Sequence, residues 1–192
     1  MHKGTPQKRW EQLERETVYR ARIFDVVQQT SRSPRSGASH QFSLIQSCDW
    51  VNIIPITEAG EVIFVRQFRH GIEDFTLEIP GGMMDPDDSS ARAAALRELV
   101  EETGYRADDV ISLGSIDPNP AIQGNRCHTF LARGVVLSAK PQLDSTEDCE
   151  VVRIPLSDVP QLIREGTITH ALVVVAFYWL ELHRSTLLAA EP

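Results

Sequence analysis

Residues 50–57 and 62–68 are two short runs rich in Ile, Val and Phe, separated only by Glu58, Ala59, Gly60 and Glu61. Apolar runs of this length around a short glycine-containing turn read as a β-hairpin. Such a hairpin must bury at least one face, so the rest of the chain has to supply a sheet and its cover. Further strands are expected at 18–29, 41–47, 76–79, 110–116, 126–132 and 150–155. A Ser/Arg/Pro/Gly loop covers 31–39, and the strand at 76–79 stops at Pro80-Gly81-Gly82. Asp85-Pro86-Asp87-Asp88 lies in a loop over 83–89. A helix follows over 90–103, with Ser89 or Ser90 as N-cap and Gly104 as C-cap. Two helices, 157–165 and 169–183, close the chain. Strands on both sides of one central helix make a mixed α+β sandwich, without repeats and without a linker between large domains.

Composition narrows the partners. With 192 residues, 42% hydrophobic and 24% charged, the chain reads as one globular domain rather than a disordered or fibrous one. A formal net charge of −8 and no basic stripe argue against nucleic acid as a partner. Cys48, Cys127 and Cys149 lie far apart with no C-x-x-C, so a zinc ribbon or redox pair is not expected, and three reduced thiols suit the cytoplasm. Residues 1–9 are polar and lack the apolar stretch of a secretory signal. The longest apolar run, 171–180, falls short of the roughly 20 residues needed to span a bilayer, so no membrane association is expected.

The chemistry concentrates on the central helix. At about 100° per residue, Ala93, Leu96, Leu99, Val100 and Thr103 share one side. Glu98, Glu101 and Glu102 share the other, accompanied by Ala91, Ala94 and Ala95. Three carboxylates at i, i+3 and i+4 repel by roughly 0.2–0.5 kcal/mol per neighbouring pair. A solvated acidic face, with Arg97 paired to Glu101, would account for a bare E-x-x-E-E. A hard divalent cation would neutralise it as well, and Gly81-Gly82 permits close backbone approach whose carbonyl could join the ligands.

The segment Arg97-Glu98-Leu99-Val100-Glu101-Glu102-Thr103-Gly104-Tyr105, preceded by Gly82, resembles the Nudix box of hydrolases that cleave nucleoside diphosphates linked to another group. That pattern reads Gly, five residues, Glu, seven residues, Arg-Glu, an aliphatic residue, any residue, Glu-Glu, any residue, Gly, and a bulky residue. The second half fits closely. In the first half five residues lead from Gly82 to Asp88 rather than Glu, and eight residues then separate Asp88 from Arg97. Either Asp88 stands for the box Glu in a loop one residue longer, or that role is empty.

The similarity extends over about residues 17–183. Val65-Arg66-Gln67-Phe68-Arg69 followed by Leu77-Glu78-Ile79-Pro80-Gly81-Gly82 is similar to the ADP-ribose and nucleotide-sugar pyrophosphatase branch. The resemblance implies a Nudix-type α/β/α sandwich with a mixed sheet and an N-terminal antiparallel strand region. It implies Mg²⁺ (Mn²⁺ as substitute) held by Glu98, Glu101, Glu102 and the Gly81 carbonyl, with Glu98, Glu102 and Arg97 in the catalytic set. Arg69 and Glu78 would contact the substrate, and Trp50 would stack on its base. Glu147, in an acidic loop before the last strand, matches the place where this branch keeps a water-activating Glu. The branch also implies a homodimer formed through residues 1–48, ahead of a hydrolase domain over 49–192. His128 is expected to be structural, and His70 is the better histidine candidate.

The expected reaction is hydrolysis of a nucleoside diphosphate sugar to a nucleoside monophosphate and a sugar phosphate. A pyrophosphatase for NADH or diadenosine polyphosphates would use the same box. A catalytically silent ligand sensor of the same fold would not need the intact Arg97-Glu98 and Glu101-Glu102. No G-x-x-x-x-G-K-[ST], G-x-G-x-x-G or H-E-x-x-H is present.

Overall fold

A computed structural model describes the backbone of residues 8–143 and 148–188 and side chains through 184. Two compact units divide the chain: residues 1–48 with 117–125, and residues 49–116 with 126–192.

The first unit carries an antiparallel sheet of β1 (Glu11–Arg20), β2 (Asp25–Arg32) and β3 (Ser39–Gln46), in that order. The single strand expected over 18–29 is therefore two, broken where Ala21 N–H donates to the Phe24 carbonyl at 2.9 Å. β1 escapes a pattern search because Glu11, Glu14, Arg15, Glu16 and Arg20 leave it no apolar alternation. Its ladder to β2, interrupted by two register shifts, holds it instead. Val27 is the buried apolar residue of this sheet, with Ser31 and Ser33 buried near it.

The second unit is built on a seven-stranded sheet. Its path runs β12 (Cys149–Pro155), β5 (Glu61–Arg69), β4 (Trp50–Ile56), β10 (Cys127–Arg133) and β9 (Ile111–Ile116). Only β4 and β10 pair in parallel; the other pairs are antiparallel. The expected hairpin forms, but β4 and β5 pair only at Ile56 and Val62 before they part. Into the gap come β6 (Asp74–Glu78) beside β5 and β7 (Gly81–Met83) beside β4. Ile53 N–H reaches the Pro80 carbonyl at 2.9 Å between them. This parting carries Gly81 and Gly82 into the middle of the sheet. A short ribbon of β8 (Tyr105–Arg106) and β11 (Val136–Leu137) lies outside it.

Alternation along the central strands builds two cores. Ile54, Val62, Phe64 and Leu131 face one way and pack with Val159, Val173, Ala176 and Phe177 of α2 (Val159–Arg164) and α3 (Ala171–Leu188). Val51, Ile53, Ile63, Phe130 and Ala132 face the other way, toward Ala94, Ala95 and Leu99 of α1 (Ala91–Thr103). Each fully buried Phe, Ile or Leu contributes about 1.5–3 kcal/mol relative to exposure. The fold is thus a mixed-sheet α/β/α sandwich with an N-terminal antiparallel region. The helix expected over 157–165 is split: Leu156–Asp158 is a 3-10 turn ahead of α2.

Ser90 caps α1 from extended backbone, its Oγ accepting the Ala93 N–H at 3.2 Å. Gly104 closes the helix at φ 72° and donates to the Val100 carbonyl at 2.8 Å. Such a left-handed cap costs glycine the least. The buried side of α1 is not the side of its larger apolar residues. Ala94, Ala95, Glu98, Leu99, Glu102 and Thr103 are buried, while Ala93, Leu96 and Val100 are only partly covered. Ala94 and Ala95, on the side of the glutamates, are core residues, and they let the helix lie close to the sheet.

Candidate active site

α1 lays its glutamates against β7. Glu98 and Glu102 are only 7% and 3% exposed, so they are not a solvated acidic face. Gly81 N–H donates to Glu102 Oε2 at 3.0 Å. A Cβ on Gly81 would meet the Val51 carbonyl oxygen at 2.3 Å, and one on Gly82 would meet the Glu98 carboxylate. Both glycines are therefore required by close approach, one to the neighbouring strand and one to the helix.

Arg97 gathers the carboxylates. One guanidinium nitrogen donates to Glu98 Oε1 at 2.9 Å and to Glu101 Oε2 at 2.8 Å. The other donates to Asp88 Oδ2 at 2.9 Å and to the Met83 carbonyl at 3.1 Å, and Nε reaches Asp88 Oδ1 at 3.2 Å. Asp88 also accepts the Asp85 N–H at 2.8 Å, which folds the loop between β7 and α1 over the guanidinium. Asp88 is thus occupied with Arg97 despite the extra loop residue. The Arg97 guanidinium beside Asp88 holds its carboxyl below the usual carboxylate range. In return Asp88, Glu101 and Glu98 push the Arg97 pKa further up, against the effect of burial.

Arg69 and Glu78 meet across the β5–β6 pair. Arg69 Nε and a terminal nitrogen donate to the two Glu78 oxygens at 2.6 and 2.8 Å. Glu78 is 4% exposed, whereas the Arg69 side chain keeps 42% of its surface exposed. Burial alone would push the Glu78 carboxyl up, but the Arg69 hydrogen bonds and charge, with Thr76, hold it below its usual range. Glu102 is close enough to add to the field on Arg69. The two groups expected in substrate binding are therefore each other's partner, next to the helix carboxylates.

Trp50 opens β4 half-buried, opposite Met83 on one side and Cys127 on the other. Glu147 lies outside the described residues. His128 binds Asp49, with Nε2 and Oδ2 at 3.0 Å, and His70 is exposed with its ring edge against Phe68. Thr76 and His170 escaped the sequence reading. Thr76 Oγ1 donates to Glu78 Oε1 at 2.5 Å, and His170 Nε2 stands 3.7 Å from Glu78 Oε2. Thr76 shares a strand face with Glu78 at i, i+2, a readable signal; His170 comes from a distant segment and leaves none.

Among the described residues no three His, Cys, Asp or Glu side chains converge as a ready metal-ligand set. The donor chemistry nevertheless fits a hard cation. Glu98, Glu101 and Glu102 offer carboxylate oxygens on one helix face, two of them buried, and Glu98 and Glu101 share the Arg97 guanidinium with Asp88. Such an excess of buried negative charge favours a divalent ion.

The family model described as NUDIX domain matches residues 46–175, more than half of the chain. This chain belongs to the Nudix family. As a Nudix hydrolase it is 29% identical over 171 residues to an ADP-ribose pyrophosphatase of Bacillus subtilis, covering 88% of this chain and 91% of that protein. It is 27% identical over 172 residues to the ADP compounds hydrolase NudE of Escherichia coli, covering 86% and 90%. A solved structure of an ADP compounds hydrolase superposes with a TM-score of 0.82 at 24% identity, over 95% of this chain and 98% of that one, which shows the shared fold. The Nudix hydrolase therefore falls in the ADP-ribose and nucleotide-sugar pyrophosphatase branch that the box and the 65–82 segment resemble.

Proposed function

We propose that this Nudix hydrolase cleaves the diphosphate bond of a nucleoside diphosphate sugar of the ADP-ribose type, releasing a nucleoside monophosphate and a sugar phosphate, with Mg²⁺. The observation that carries the reading is the seating of Glu98 and Glu102 against Gly82 and Gly81, beside the Arg69–Glu78 pair. The names of the B. subtilis and E. coli relatives support ADP-linked substrates.

Glu98, Glu101, Glu102 and the Gly81 carbonyl are the residues to hold the metal. Bound there, Mg²⁺ would lower the pKa of a coordinated water and offset charge on the phosphoryl oxygens. Arg97 keeps Glu98 and Glu101 oriented by bridging them. Arg69, braced from below by Glu78, turns its exposed surface to the substrate diphosphate. Trp50 supports the base. Glu147 takes the proton of the attacking water. The intact Arg97, Glu98, Glu101 and Glu102 argue against a silent sensor.

The same reading makes the enzyme a cytoplasmic homodimer joined through residues 1–48. The first unit buries little and exposes Trp10, Val18, Tyr19, Ile23 and Phe42. A sheet this small with so thin a core calls for a partner surface. No helix among the described residues is long and apolar enough to cross a membrane.

Product analysis with ADP-ribose, ADP-glucose, GDP-mannose and NADH, each with Mg²⁺ and with EDTA, tests the proposal. AMP and ribose 5-phosphate from ADP-ribose, abolished by EDTA, is the expected result. Preference for NADH would move the substrate to a dinucleotide, and no product from any compound would return the protein to the sensor class.

A further inference from the structure

His170 uses both ring nitrogens. Its carbonyl accepts the N–H groups of Val173 and Val174 at 3.0 and 3.1 Å, which makes it the residue that opens α3. Its Nδ1 accepts the Leu172 N–H at 3.2 Å, the bond that a Ser or Asn side chain makes as an N-cap. A neutral imidazole carries one N–H, so an accepting Nδ1 puts that hydrogen on Nε2. Nε2 stands 3.7 Å from Glu78 Oε2, beyond hydrogen-bond length but near enough for its N–H dipole to favour the carboxylate. The start of α3 is held from the sheet as well, since Asn52 Nδ2 of β4 donates to the Leu172 carbonyl at 3.3 Å.

Both oxygens of the Glu78 carboxylate thus have a second neighbour besides Arg69. Thr76 holds Oε1 from its own strand, and His170 faces Oε2 from α3, while Arg69 spans the pair. In a two-pronged Arg–carboxylate pair the planes of the two groups move together. A carboxylate free to swing would let the guanidinium swing with it.

We propose that His170 is a positioning residue that, through Glu78, sets the orientation in which Arg69 meets the substrate diphosphate. The inference rests on the reading, given above, that Arg69 contacts substrate. No role given above to the Nudix box or to Glu147 includes this residue.

Two substitutions separate the two jobs of the ring. His170→Asn keeps a capping acceptor but falls short of Glu78. His170→Gln places an amide nitrogen near the position of Nε2 and gives up the cap. With ADP-ribose and Mg²⁺, His170→Asn should raise KM by about three- to tenfold, the scale of one polar contact, with kcat within about twofold. Its melting temperature should stay at the wild-type value. His170→Gln should melt lower yet keep the wild-type KM. On an Arg69→Lys background, His170→Asn should add no further rise. The Arg69 Nε–H resonance in an NMR spectrum should move in His170→Asn and stay in His170→Gln, whatever the turnover. A wild-type KM in His170→Asn, an equal rise on the Arg69→Lys background, or an unmoved Arg69 resonance would each overturn the proposal. Arg69→Lys with an unchanged KM would instead remove the substrate role of Arg69, and the inference with it.

Discussion

A Cβ placed on Gly82 would stand 2.5 Å from Glu98 Oε1. The Glu98 carboxylate occupies the space that any other residue at position 82 would fill, so strand β7 and helix α1 share that space. At Gly81 the obstacle is different in kind: the Val51 carbonyl oxygen and Asn52 Cα, at 2.3 and 2.9 Å, are backbone.

Gly82→Ala and Gly81→Ala should therefore fail differently. In Gly82→Ala the flexible end of Glu98 gives way, so the fold survives with a melting temperature close to wild type while kcat/KM falls at limiting Mg²⁺. In Gly81→Ala β7 must part from β4, an overpacking that costs about 1–3 kcal/mol in a urea titration. Wild-type activity in a folded Gly82→Ala would show that the Glu98 position is not needed.

Glu98→Gln and Glu102→Gln should each lower kcat by about 100-fold or more while the helix stays intact. Gln at 102 retains an oxygen to accept the Gly81 N–H, and losing one charge of the cluster relieves repulsion along α1. Circular dichroism, steady-state kinetics and metal replacement after EDTA, with Mg²⁺ and with Mn²⁺, check this. Near-normal turnover in either variant at saturating Mg²⁺ would end the assignment.

Glu78 ties stability to acid. Its native pKa lies below the ordinary value of 4.5, so its carboxylate favours the folded state. That contribution is complete above the ordinary value and disappears as the pH falls through the lowered native one. The stability gap between wild type and Glu78→Gln, measured by urea titration, should hold constant from pH 7 to about pH 5 and narrow below pH 4.5. A gap independent of pH down to 3 would contradict the ion pair.

The cysteines should separate by reactivity. Burial, with the charge of Asp49 added, pushes the Cys127 thiol up to about 12, whereas Cys48 is exposed. At pH 8 roughly one Cys127 in ten thousand would be thiolate. Iodoacetamide followed by mass mapping should label Cys48 and spare Cys127 in the native protein, and label both in urea. Equal native labelling would mean that this strand opens readily.

Much of the site was readable because it is local. The spacing of Glu98, Glu101 and Glu102 places them on one face of any α-helix, and Ser90 and Gly104 mark its ends whatever packs around it. The hairpin from Trp50 to Phe68 announced itself by two β-branched runs and a short turn. β1 did not, since its charged side chains leave no alternation and only its ladder to β2 makes it a strand. β7 did not either: Gly81–Met83 is too short to carry a period, and it exists because β4 and β5 separate after one pair of residues.

By itself the sequence determined which residues could carry chemistry, since helical spacing and cap preferences are properties of the local backbone. Tertiary structure decided which of them are buried and what they touch. Size alone sorts Leu96 and Val100 ahead of Ala94 and Ala95 as core residues. A helix pressed against a sheet needs its smallest side chains at the contact, so the alanines went inside and took Glu98 and Glu102 with them. Arg69, Glu78, Thr76 and His170 met only because antiparallel register and the start of α3 converge on one buried carboxylate. Hydrogen bonds of that kind depend on distances of a few ångströms between segments far apart in the chain, and no periodicity within either segment encodes them.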